Sequence, residues 1–210
     1  MNEKEDTTGK TEHTYDHIAP AYSSRIEELL ADSWIGEHEK GLLDRFLLAV
    51  PRSGAGILDI GCGNGHTIRY FMSFWDDTEY YGLDYSNEAI RVARYRVPDA
   101  TFICEPFIGS SASKCDVATV MGVAEHFHDL PEFFEKLHDC ADLVYLESPN
   151  CLEYSDSDKE GFRQTHEGSD QIEWHLRRET WEDHIANAGW EILESIKGDM
   201  VTTEFIWVIK

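Results

Sequence analysis

The chain has 210 residues, of which 41 are acidic and 18 basic, giving a formal net charge of -23 at pH 7. That excess repels phosphate backbones at long range, so a nucleic-acid substrate is not expected. No apolar run approaches the roughly 20 residues that span a bilayer, so no membrane partner is expected either.

The opening MNEKEDTTGKTEH has neither the basic start nor the apolar centre of a signal peptide, and the expected location is cytoplasmic. Five cysteines (Cys62, Cys104, Cys115, Cys140, Cys151) form no CxxC pair, which argues against a disulfide framework and a structural zinc site. Residues 17–34 and 36–50 show helical spacing of apolar residues, as in Leu42, Leu43, Phe46 and Leu47, and form a helical cap over residues 1–50. Residues 51–210 form the main domain. ILDIG is a strand, and the segment from Gly65 to Trp75 a helix. EYYGLD (79–84) is a second strand, and Ser86 caps a helix that ends before Pro98.

ATFIC (100–104) and CDVATVMG (115–122) are the third and fourth strands. LPEFFEKLHDCA is a helix with Pro131 in its first turn, followed by the strand DLVYLES (142–148). Residues from Pro149 to about 176 are polar and weakly periodic, and are read as a surface insertion on the substrate side. RETWEDHIANAG is a helix stopped by Gly189, and WEILESIK and VTTEFIWVIK close the chain as an antiparallel pair. Strands alternating with helices predict an α/β fold. Its core is a doubly wound, seven-stranded, mainly parallel sheet with a C-terminal antiparallel hairpin and helices on both faces.

The stretch ILDIGCGNGHTIRYF places Gly61, Gly63 and Gly65 directly after the first strand, where open parallel sheets bind ligands. A nucleoside triphosphate loop needs Lys then Ser or Thr after its last glycine; His66 and Thr67 stand there instead. A dinucleotide needs GxGxxG, and the third glycine comes one residue early. Asp84, at the end of the second strand, suits two ribose hydroxyls of either a dinucleotide or an adenosyl cofactor.

ILDIGCGNG, with Asp59 two residues before Gly61, resembles motif I of the Rossmann-like (class I) S-adenosylmethionine-dependent methyltransferases. YYGLDYSNEAIRVAR is similar to that family's second-strand segment, and CDVATVMGVAEHFHDL to its fourth strand and turn. The resemblance implies S-adenosyl-L-methionine as cofactor. It assigns Asp59 and Gly61 to the methionine end, Asp84 to the ribose, Glu105 to the adenine edge, and Met121 to packing near the methyl. Cys62, Gly63, Gly65, Tyr85 and Pro106 complete that lining. Tyr15 and Tyr22 resemble N-terminal tyrosines that close over the cofactor, or else simply pack a helix on the sheet.

Glu125 and His126 follow the fourth strand, where the acceptor arrives, and are the catalytic candidates. His126 is open to two roles, a general base or a local hydrogen bonder. Some relatives bind a metal through ExxEH, but Gly122 replaces the first Glu, so no metal is expected even with His128, His166 and His175 nearby. The Asp/Asn-Pro-Pro-aromatic motif of amino-group methyltransferases is absent. The expected function is methyl transfer to a small molecule on oxygen, by a monomer or homodimer. The alternatives are a non-catalytic cofactor-binding subunit and a nicotinamide dehydrogenase.

Overall fold

The computed structural model describes residues 55–73, 75, 77–148, 151–152, 161–165, 172–197 and 205–210. The predicted N-terminal helices, with Tyr15 and Tyr22, lie outside them. In chain order the elements are β1 (Gly56–Ile60), α1 (His66–Phe71), β2 (Glu79–Asp84), α2 (Asn87–Arg96), β3 (Thr101–Cys104) and β4 (Val117–Met121). A single 3-10 turn (Ala124–His126) precedes α3 (Leu130–Cys140), β5 (Leu143–Ser148), β6 (Cys151–Leu152), β7 (Gly161–Thr165) and β8 (Ile172–Arg177). Then come α4 (Arg178–Asn187), β9 (Ile192–Lys197) and β10 (Phe205–Ile209).

The main sheet has seven strands in the order β3-β2-β1-β4-β5-β10-β9. Strands β1 to β5 pair in parallel, and β10 is antiparallel to both its neighbours. Near-continuous apolar runs make these strands, because both faces are covered. On β1, Leu58 and Ile60 join Ala118, Val120, Val144 and Leu146 under Phe133, Phe134, Trp181 and Ile185 of α3 and α4. Ile57, one residue out of phase, packs with Val117 and Tyr145 against Ile68, Phe71, Ile90 and Ala93 of α1 and α2.

Local chemistry sets the helix ends. Ser86 Oγ accepts the Ala89 amide at 3.2 Å, and Asp129 caps α3 through the Glu132 amide at 2.9 Å. Gly189, at φ 88, ends α4 in the left-handed region.

Within the insertion, to which the sequence assigned no strands, β6, β7 and β8 make a second sheet in the order β6-β8-β7. Its strands are short, and β8 sets buried Ile172 and Leu176 on either side of half-buried Glu173, Trp174 and His175. That pattern carries too few apolar residues to read as a strand from periodicity alone.

Candidate active site

Strand order reverses between β1 and β4, and the carboxyl ends of these strands open a crevice there. The glycine loop forms one lip. The Gly61 and Cys62 amides both donate to the Leu83 carbonyl, at 2.7 and 3.1 Å, which ties the loop to β2. Gly61 lies at φ 71, and a Cβ there would stand 2.3 Å from Val123 Cγ2. Gly63 lies at φ 51 and faces open space, with no atom within 4 Å of such a Cβ.

The two glycines therefore predict different outcomes. Gly61→Ala should lower the melting temperature through a clash and backbone strain of about 1–3 kcal/mol. Gly63→Ala carries only the left-handed penalty of about 1 kcal/mol, and should instead weaken ligand binding by filling the open space. Thermal melts with and without ligand separate the two.

Asp84 holds the loop from below. Its Oδ2 accepts the Gly63 amide at 2.9 Å and its Oδ1 the Ser86 amide at 2.8 Å. Burial raises its pKa, with the Ser86, Gly63 and Tyr85 amides pulling the other way. On the outer side, Arg96 Nη1 donates to the Asn64 carbonyl at 3.2 Å and lies 3.4 Å from His66 Nε2. Burial, then Arg96 and Arg69, push the His66 pKa down to about 4, so His66 is neutral at physiological pH.

Deeper in the crevice, Asp59 is 2% exposed. Its Oδ1 accepts the Thr119 hydroxyl at 2.7 Å, and its Oδ2 is buried without a hydrogen-bond partner. Burial lifts its pKa to about 7, assisted by the Asp84 charge and opposed by Thr119 and Thr67. Between about pH 4 and 7 the folded chain thus keeps a proton that the unfolded chain has lost. This group favours folding at acid pH, and its contribution falls as pH rises to about 7. Asp59→Asn should therefore melt higher than the parent at pH 8, with the gap closing by pH 4.

Beyond Asp59 the Thr67 hydroxyl approaches Met121 Sδ at 3.9 Å, and Met121 stands in register with Glu147 on β5. The turn after β4 packs against β5 and β8. His126 Nδ1 donates to the Ile172 carbonyl at 2.8 Å, and Trp174 Nε1 donates to the Phe127 carbonyl at 2.8 Å. Glu125 is 1% exposed, with Oε2 buried and unpartnered. Burial, with a smaller push from Glu173, lifts its pKa to about 8.

Asp59, the glycine loop, Asp84, Met121, Glu125 and His126 all lie near or just beyond the carboxyl ends of β1, β2 and β4. Other expected residues sit differently. The Cys62 side chain turns inward, buried beside Gly82 and Phe102, and packs in the core. Glu105 is engaged with Ser111, accepting its amide at 2.6 Å and its hydroxyl at 3.0 Å, and Pro106 is exposed. Tyr85 offers its carbonyl to the Cys104 thiol at 3.7 Å.

Sequence reading missed Thr119, Val123 and Glu173. A hydroxyl in the middle of a buried strand, in register with Asp59, was the available signal for Thr119. Among the described residues no group of three His, Cys, Asp or Glu is placed to hold a metal ion, and no helix is long and apolar enough to cross a membrane.

Residues 35–195 match a family described as a methyltransferase domain. The chain belongs to this methyltransferase family. Its fold is that of the class I enzymes. The methyltransferase is 44% identical over 69 residues to a trans-aconitate 2-methyltransferase of Afipia carboxidovorans. That match spans 32% of this chain and 27% of the relative, about a quarter of its length.

Among solved structures, a putative methyltransferase of Haloferax volcanii, in complex with a methyltransferase activator, superposes with a TM-score of 0.70 at 16% identity. That alignment covers 92% of this chain and 96% of the other. Magnesium protoporphyrin IX methyltransferase of Synechocystis, with S-adenosylmethionine bound, gives 0.67 at 13% identity over 92% and 93%. The crevice fits such a cofactor on its own chemistry: an open approach at Gly63, a paired carboxylate at Asp84 for hydroxyl donors, and an unpartnered buried carboxylate oxygen at Asp59 for a cationic end.

Proposed function

We propose that this methyltransferase acts on a small-molecule acceptor, methylating it on oxygen, with His126 as the general base. The hydrogen bond from His126 Nδ1 to Ile172 carries the reading. A carbonyl only accepts, so the proton sits on Nδ1 and the basic lone pair on Nε2. The same bond pins the ring between the end of β4 and the second sheet. His126 Nε2 then takes the acceptor's hydroxyl proton as the oxygen attacks.

When bound, S-adenosylmethionine supplies a sulfonium-activated methyl group. The chain's own task is to align the acceptor and exclude water. Asp84 holds the ribose hydroxyls, Asp59 the methionine end, and Met121 lines the path between cofactor and acceptor. Glu105 is assigned to the adenine edge, Tyr15 and Tyr22 to closure over the cofactor, and residues 1–50 to a cap. The second sheet within residues 149–176 forms the acceptor wall. The net charge of -23 disfavours nucleic acid as acceptor, and the match to trans-aconitate 2-methyltransferase favours a small molecule.

A thermal-shift panel tests the cofactor half of this proposal. S-adenosylmethionine and its demethylated product should both raise the melting temperature at micromolar concentration, while NAD and ATP should not. A shift with NAD alone would overturn it. A screen of hydroxylated, phenolic and amino compounds with a labelled methyl donor tests the acceptor half. Label appearing only on RNA or protein would defeat the small-molecule assignment.

A further inference from the structure

We infer that Arg96 and His66 form a clasp that presets the glycine loop in its ligand-binding shape, which makes Arg96 a positioning residue for the cofactor. It acts on affinity through the loop backbone rather than by touching the ligand. The inference rests on the proposed adenosyl-cofactor reading of the same loop.

The loop needs an outside restraint. Asn64 stands between Gly63 at φ 51 and Gly65 at φ 80, and glycine leaves both flanking positions free to take other conformations. The near half is tied to β2 by the Leu83 carbonyl and the Asp84 carboxylate. In the far half the Gly65 amide donates to the Cys62 carbonyl at 2.9 Å, a bond inside the loop that moves with it.

Arg96, the last residue of α2, supplies the anchor. Its Nη1 donates to the Asn64 carbonyl at 3.2 Å and lies 3.4 Å from His66 Nε2. That nitrogen carries two hydrogens, so it serves both acceptors when the imidazole is neutral with its proton on Nδ1. Burial first, then Arg96 and Arg69, keep His66 neutral. The Asn64–Gly65 peptide is thus held at both ends, its carbonyl by Arg96 and its amide by Cys62. Gly65 makes the reach possible. A Cβ there would stand 3.2 Å from Phe102 Cζ and 3.3 Å from both Ala93 Cβ and Val97 Cγ2, so its absence lets α2 close on the loop. Gly63, beside the clasped peptide, is the position that faces open space. A loop already set in this shape spares the ligand the entropy of ordering it.

The same helix carries its own control. Arg94 makes a bond of the same kind, from Nη2 to the Phe102 carbonyl on β3 at 2.9 Å. It ties α2 to the sheet, whereas Arg96 ties α2 to the loop.

The test compares Arg96→Met, His66→Leu, their combination and Arg94→Met with the parent. Titration calorimetry with S-adenosylhomocysteine reads affinity without an acceptor. Arg96→Met should bind about 10-fold more weakly, the lower end of what a charged hydrogen bond is worth. His66→Leu should lose less, and the double variant no more than Arg96→Met alone, since the histidine acts through the arginine. Arg94→Met should melt lower than the parent yet keep its affinity. Hydrogen exchange separates positioning from direct contact: in the free protein the Gly63 and Gly65 amides should exchange faster in Arg96→Met, and bound S-adenosylhomocysteine should remove the difference. Parent-like affinity in Arg96→Met, weaker binding without faster loop exchange, or an equal loss in Arg94→Met would each overturn the inference. If the parent bound neither adenosyl ligand, the cofactor reading would fall instead, and exchange in the free proteins would still decide whether the clasp holds the loop.

Discussion

His126→Asn should lower kcat by roughly 10²–10⁴-fold and leave the affinity for adenosyl ligands unchanged. Asparagine keeps an amide N–H near the place of Nδ1–H, so the bond to the Ile172 carbonyl and the docking of β8 on the turn can persist. What is lost is the lone pair at Nε2. Turnover is read on whichever acceptor the labelled screen identifies, and the parent's pH profile should show a basic group that the variant lacks. Activity that disappears with a chelator and returns with a divalent ion would make His126 a metal ligand instead. Unchanged turnover would reduce it to an anchor for the second sheet.

Asp84→Ala should cost most of the cofactor affinity, since charge-assisted hydrogen bonds contribute about 1.5–3 kcal/mol, a factor of roughly 10 to 150. Fold stability will fall as well, because the same carboxylate accepts the Gly63 and Ser86 amides. Removing it leaves two amide donors unpaired, one in the glycine loop and one at the start of α2. Asp84→Asn separates the two effects. It retains one carbonyl acceptor for the loop, loses the charge, and should melt nearer the parent while binding cofactor more weakly. Titration calorimetry beside thermal melts decides the matter; full affinity in both variants would move the ribose contact elsewhere.

The main sheet was legible because its strands announce themselves twice, by buried runs such as ILDI and VATVM and by the turn residues that bound them. Ser86, Pro131 and Gly189 marked helix ends for reasons of local chemistry that tertiary packing did not override. The glycines and Asp84 were legible for the same reason, since backbone conformation and a strand end place them. The second sheet was not. Its strand β8 packs on the turn after β4, a contact between segments distant in sequence that no local pattern encodes. Glu125 was visible as a residue but not as a buried one. A glutamate beside a histidine reads as solvated until the elements that cover it are known.

The position of β10 has a consequence in time. It enters the main sheet between β5 and β9, so β9 reaches that sheet only through a strand that follows it in the chain. During synthesis β1 to β5 can pair as they emerge, whereas β9 must wait beside an open β5 edge. Glu182 Oε1 records that wait: it accepts from Arg178 Nε at 2.7 Å within α4, and gains Ser195 Oγ and Trp207 Nε1, each at 3.2 Å, only when the later strands arrive. A ribosome stalled before Phe205 would carry a chain able to form the glycine loop while the edge of β5 stayed bare. Unpaired edges invite pairing with other chains, so this interval is where misassembly would begin. The strand starting at Phe205 ends it.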